Sequence, residues 1–199
     1  MARDAEPTEV AEEDPAPRLD PETRVRRDAA LKLVRKYGDP VLRSRALPIE
    51  RFDDALRDEV RRMGQLMHEA LGIGLAATQV GVMHRVLVYR VESEGAIAAL
   101  VNPVIEWASE ETEPMEEGCL SLPGVLVDVE RPVHVRVRAR DERGDGILIE
   151  ASGLEARVIQ HEMDHLDGVL VLDRTSREQR KEAMRVLRDT LAAPLGASA

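Results

Sequence analysis

Two histidines four residues apart, with a glutamate beside the first, carry the clearest chemical signal in this chain: His161-Glu162-Met163-Asp164-His165. On a helix, residues at that spacing share a face, with Cβ atoms about 5–6 Å apart. Two imidazoles so placed can both reach one metal ion at roughly 2.0–2.1 Å. Glu162 stands next to the first ligand, where it can act on a metal-bound water. Coordination can lower the pKa of such a water to about 7, and a carboxylate can take its proton and pass it to a leaving nitrogen. The chemistry expected is hydrolysis of an amide-type bond. Leu154 and Val158 fall on the same helix face, two turns and one turn before His161. That face is apolar at one end and ligating at the other, as a substrate pocket requires. A solvated helix carrying two histidines by chance would leave that arrangement unexplained.

A catalytic site of this kind needs a third protein ligand. One protease class places a histidine six residues beyond the second; here Gly168 fits that pattern, but the ligand position holds Val171. Another uses a glutamate on a later helix, for which Glu178 and Glu182 are candidates, both in a charged and solvated-looking segment. The remaining candidate is the single cysteine, Cys119, in Glu116-Glu-Gly-Cys-Leu-Ser-Leu-Pro123. A lone cysteine is by itself more readily a small buried hydrophobe. Beside two histidines lacking a partner it becomes the favoured ligand, since a thiolate binds cations well. His68, His84 and His134 read as surface or packing residues.

Gly72-Ile-Gly-Leu-Ala-Ala-Thr-Gln-Val-Gly81 imitates a dinucleotide fingerprint, with Glu92 twenty residues after Gly72. That motif must follow a strand and open a helix. Here a helical pattern precedes it and a strand pattern soon follows. The alternative is a tight backbone passage beside the active site, where glycine lets the main chain approach substrate and the Gln79 amide can donate to a developing oxyanion.

The elements that must position these residues follow from periodicity. Phe52, Leu56, Val60, Met63, Leu66, Met67 and Ala70 recur at helical spacing, predicting a helix over 53–70 with Asp53 and Asp54 at its start. Residues 84–91 and 97–105 are strand-like. Residues 133–140 alternate apolar and polar, as in a half-solvated antiparallel strand, and a turn at 141–146 returns the chain as its partner over 147–151. Helices are expected at 154–166, stopped by Gly168, and at 176–192. Strands clustered between helices without regular alternation indicate an α+β fold.

Bulk properties bound the function. The chain has 199 residues and a formal charge of −10, with only 2% aromatic residues, so its core must be aliphatic. Such a balance argues against coating nucleic acid, and no DNA partner is expected. One cysteine allows no intrachain disulfide, and no apolar run approaches the roughly 20 residues of a membrane helix. No targeting signal is visible, and a cytoplasmic protein is the expectation. Residues 1–17 hold one base, six acids and three prolines. Residues 1–28 are therefore expected to be a disordered acidic tail, with residues 29–199 as a single catalytic domain.

Three segments in order, Gly72-Ile-Gly-Leu-Ala-Ala-Thr-Gln79, Glu117-Gly-Cys-Leu-Ser121 and Gln160-His-Glu-Met-Asp-His165, resemble the signature motifs of the peptide deformylase family. The resemblance covers about residues 30 to 190. It implies antiparallel β-sheets packed around a central metal-binding helix, with an N-terminal and a C-terminal helix. It implies removal of the formyl group from the N-terminal formylmethionine of new polypeptides, releasing formate. By the same resemblance Cys119, His161 and His165 are the metal ligands, and Glu162 is the general base and acid. Gln79 and the backbone N–H of Leu120 are oxyanion donors, and Ile73, Gly74, Leu154 and Val158 line the methionine pocket. The cofactor implied is one divalent ion, Fe2+ first, with Zn2+, Ni2+ or Co2+ able to take the site. The C-terminal helix resembles a form that docks on the ribosome, and residues 177–188 carry five bases against two acids. The acidic tail departs from the family pattern. An endopeptidase with a different third ligand, and a member that binds without turnover, are the competing readings.

Overall fold

The α2 segment shows how the apolar pattern becomes structure. This helix spans Asp54–Glu69, and the Asp53 carboxylate accepts from the Leu56 N–H at its start. Leu56, Met63 and Met67 are buried on its inner face, as the helical spacing predicts. The computed structural model describes residues 19–92 and 94–192. After α2 come β1 (Gly74–Ala76), a 3-10 turn (Ala77–Val80), β2 (Val86–Tyr89) and β3 (Ala98–Ala108). The hairpin β4 (Thr112–Cys119) and β5 (Leu122–Pro132) follows, then β6 (His134–Arg140) and β7 (Gly146–Ser152). The chain closes with α3 (Gly153–Leu166) and α4 (Arg177–Ala192).

The strands form a five-stranded sheet, β1-β2-β3-β6-β7, and the separate β4-β5 hairpin, with every pairing antiparallel. The pleat sends alternate side chains to opposite faces, so two cores flank one end of this sheet. Leu75, Val86 and Val88 pack with Met63 and Met67 of α2. Leu87, Tyr89 and Leu100 pack with Ile159 and Met163 of α3. β2 is buried on both faces, and its Val-Leu-Val-Tyr run is accordingly apolar throughout. A third core joins Val125, Val127 and Val129 of β5 to Ala183 and Leu187 of α4. α3 is thus enclosed between the sheet and the hairpin, with ten of its fourteen residues buried. Gly168 ends this region at φ +75°, and a Cβ there would come within 2.7 Å of the Arg43 carbonyl oxygen.

The N-terminal expectation needs correction. Instead of a disordered tail running to residue 28, a helix α1 spans Pro21–Leu31. Asp20 accepts from the N–H groups of Glu22 and Thr23, Pro21 occupies the first turn, and Ala30 is buried as α1 packs on α2. Capping and packing of one helix face outweigh the polar composition that suggested disorder. Residues 1–18 of that expected tail lie outside the described residues. The β4-β5 hairpin had no counterpart in the sequence reading, although Val125, Val127 and Val129 alternate with Leu126, Asp128 and Glu130. Among the described residues no helix is long and apolar enough to cross a membrane.

Candidate metal centre

Burial of α3 brings the His161–His165 face against the end of β4. The sulfur of Cys119 and one ring nitrogen each from His161 and His165 lie within 4.8 Å of one another. Cys119 Sγ stands 3.2 Å from His165 Nε2. A metal with bonds of roughly 2.0–2.3 Å to nitrogen and sulfur sets tetrahedral ligands about 3.5 Å apart. The three donors would therefore suit a single divalent ion, on a wall of the cleft that Cys119 and His161 line. The rings meet edge to face, 5.1 Å between centroids and 67° apart.

The His161 ring is oriented by a carboxylate: its Nδ1 lies 2.9 Å from Glu117 Oε2, which leaves Nε2 for the centre. Such a partner fixes the tautomer and the aim of a ligating histidine. Glu117 is itself clamped by Arg131 through two bonds and by Arg157 through one, at 2.6–2.9 Å. Arg131 also reaches Asp164 at 2.9 Å, and Arg174 holds Asp164 from the other side. Burial would raise the Glu117 carboxyl, but the hydrogen bonds from His161 and Arg131 overcome it and hold it down at about 2. Burial likewise acts to raise the Cys119 thiol, and the adjoining histidines win, keeping it well below its ordinary value. The Ser121 N–H donates to the same sulfur at 3.4 Å. The pocket therefore favours a thiolate, the form that ligates.

Glu162 is 4% exposed and its Oε2 has no hydrogen-bond partner among the described residues. Burial pushes this carboxyl above its ordinary range, against the pull of His161 and His165. It stands under β1, where a Cβ on Gly74 would collide with Glu162 Oε1. The glycine is thus the space that the carboxylate occupies. Gln79 accepts from the Ala76 N–H at 2.8 Å, which turns its amide nitrogen toward Ser121 Oγ at 3.3 Å and Cys119 Sγ at 3.6 Å. The Leu120 carbonyl accepts from Lys36 Nζ at 3.0 Å, tying down the turn that follows Cys119.

A cleft of about 700 Å³ opens onto this group, and every residue that the motif resemblance assigned to the site except His165 lines it. His165 lies behind it, 1% exposed, and joins the centre through Cys119. Glu178 is exposed and Glu182 pairs with Arg185, so neither glutamate of the last helix joins the centre. His68, His84 and His134 contact Arg90, Glu59 and Ser152 at a distance from it. Sequence reasoning missed the roles of Glu117, Arg131 and Arg157, and the cleft residues of α1. Glu117 sat inside a motif, but no spacing rule ties a strand carboxylate to a helix histidine 44 residues later.

Residues 31–181 match the family model described as Polypeptide deformylase. A peptide deformylase of Acidothermus cellulolyticus is 46% identical over 160 residues, spanning 80% of this chain and 87% of that protein. One from Thermotoga neapolitana is 50% identical over 141 residues, spanning 71% and 85%. Among solved structures, the peptide deformylase from Synechococcus elongatus in complex with actinonin aligns with a TM-score of 0.74 at 45% identity, covering 77% of this chain and 85% of that one.

Proposed function

This chain belongs to the polypeptide deformylase family, and from that premise we propose how its residues divide the work. The enzyme is a metal-dependent hydrolase that removes the N-formyl group from the formylmethionine of newly made polypeptides and releases formate. Cys119, His161 and His165 hold the ion. Bound there, a divalent cation acts as a Lewis acid and brings the pKa of a water ligand near neutrality. Water oxygen adds to the formyl carbon, and the C–N bond breaks as the tetrahedral adduct collapses to formate and the free amine. Glu162 accepts the proton of the attacking water and returns it to the departing nitrogen, a task suited to a buried carboxylate with an oxygen that has no other partner among the described residues. The Gln79 amide and the Leu120 N–H donate to the formyl oxygen as it gains charge. Ile73, Gly74, Leu154 and Val158 receive the methionine side chain, and their apolar surfaces suit a flexible thioether.

The observation that carries this reading is the convergence of one sulfur and two imidazoles beside a buried, unpartnered carboxylate. The test is formate release from a formyl-Met peptide by protein prepared without oxygen and loaded with ferrous iron. Glu162→Ala should keep the metal and lose about 10²- to 10⁴-fold in turnover. Cys119→Ser should lose both. Undiminished metal content and turnover in the serine variant would remove Cys119 from the centre and reopen the endopeptidase reading.

Ferrous iron is the proposed native ion, and metal analysis of the anaerobically isolated protein tests it. Arg177, Arg180, Lys181, Arg185 and Arg188 all project to solvent from α4, while Ala183 and Leu187 bind the helix to β5. This basic face supports docking on ribosomal RNA in the cytoplasm. Ribosome co-sedimentation that weakens as salt rises is the expected result; binding indifferent to salt would count against it.

A further inference from the structure

The cleft continues beyond the methionine pocket to α1, whose Arg27 and Leu31 form part of its wall with Lys36 from the following loop. Arg27 precedes the residues matched by the family model. Positions 27 and 31 lie one turn apart on the helix face turned toward the body of the protein. Of the four other charged contributors on the hairpin and α3 side, Glu117 and Arg157 pair with each other, Glu162 is buried beside the histidines, and Glu116 stands on β4. Arg27 and Lys36 have no carboxylate within ion-pairing distance among the described residues. The two cations feel each other: burial holds the Lys36 ammonium below its ordinary value against the pull of Cys119, and Arg27 adds a smaller push in the same direction as burial. Lys36 Nζ rests on the Leu120 carbonyl, one residue from the ligand Cys119.

A formylated peptide has no charge at its amino end, so these cations have nothing to recognise on formylmethionine itself. The rest of the peptide must leave along the cleft, advancing roughly 3.3 Å per residue when extended. Its second and third residues then pass about 7–10 Å beyond the reacting carbon, within reach of a headgroup seated beside Leu120. We propose that Arg27 and Lys36 form a basic subsite that selects nascent peptides carrying an acidic side chain at the second or third position. This rests on the deformylase reading and names the substrate preference of the same site. Opposite charge placed in a low-dielectric cleft raises both encounter rate and residence.

The experiment compares kcat/KM for formate release from C-terminally amidated formyl-Met-Glu-Ala, formyl-Met-Gln-Ala and formyl-Met-Lys-Ala, and from the series with the variable residue third. In at least one series the expected order is Glu, then Gln, then Lys, with about tenfold between the extremes at low salt. The preference should shrink as potassium chloride rises. Arg27→Glu should bring the Glu:Lys ratio to about one or below, while Arg27→Lys, which keeps the charge, should retain it. Equal kcat/KM for all three charges in both series, or an undiminished ratio in Arg27→Glu, overturns the subsite while leaving the deformylase reading intact. No turnover of any formyl-Met peptide would overturn that reading instead. Because the salt response is read on the unaltered protein, the proposal stays testable should Arg27→Glu fail to fold.

Discussion

Glu117 illustrates how much of a metal site lies behind its ligands. It touches no substrate, yet it aims His161 through a 2.9 Å bond and is held by two buried arginines. Removing it leaves Arg131 and Arg157 without their shared carboxylate and leaves the His161 ring free to turn. Loss of such a partner typically weakens metal binding about 10- to 100-fold. Glu117→Ala is accordingly expected to raise the metal dissociation constant by that factor, measured by competition with a chelator. Unchanged affinity would show that the ring is held by packing alone. His161 and His165 were identifiable from spacing, because two residues on one helix have a fixed relation. Glu117 was not, because its relation to His161 exists only after a strand and a helix have packed.

At the scale of elements, β1 and the links around α4 decide how the site is framed. β1 passes so close to α3 that position 74 must lack a side chain. Gly74→Ala should push the Glu162 carboxylate from its place, lowering turnover at least tenfold while bound metal stays stoichiometric. Formate assays beside metal analysis check this, and full activity would show that the carboxylate has another position. Asp173 ties a different corner: it accepts from the Leu170 N–H at 2.9 Å and pairs with Arg43 and Arg180. Burial opposes its ionisation, but Arg43 and the Leu170 N–H prevail and hold its carboxyl below the usual aspartate value. A folded pKa below the unfolded one means that the stabilisation is present above about pH 4 and is lost as pH falls through the lower folded value. Asp173→Asn should therefore cost about 1 kcal/mol at pH 7, and the deficit should close under acid. Urea denaturation at both pH values measures it. A deficit that persists in acid would assign the effect to shape and not charge. The helices and the β6-β7 hairpin were readable because their apolar periods are local. α1 was missed because its stability comes from a cap and from packing on α2, neither of which composition reveals.

Among the described residues a sheet and a hairpin enclose one helix that carries both the candidate site residues and core residues. Ile159 lies on the side of α3 facing the sheet, fully buried among Leu87, Leu100 and Val137. Ile159→Ala should cost about 2–5 kcal/mol, read as a lowered denaturation midpoint, because the enclosing layers cannot both close on the void. A change under 1 kcal/mol would show that they can. The sequence by itself determined the pairing of two histidines on one helix face with a glutamate beside them, the helical and alternating segments, the family and hence the reaction. It did so because spacing along a helix or strand is geometry already, and because three motifs in fixed order are specific. Tertiary structure decided the rest: that Cys119, and neither Glu178 nor Glu182, lies beside the two histidines, that Glu117 meets the His161 ring, and that α1 walls the cleft with Arg27. Each joins residues far apart in the chain, and such distances are fixed by the packing of buried surfaces, which no local pattern encodes.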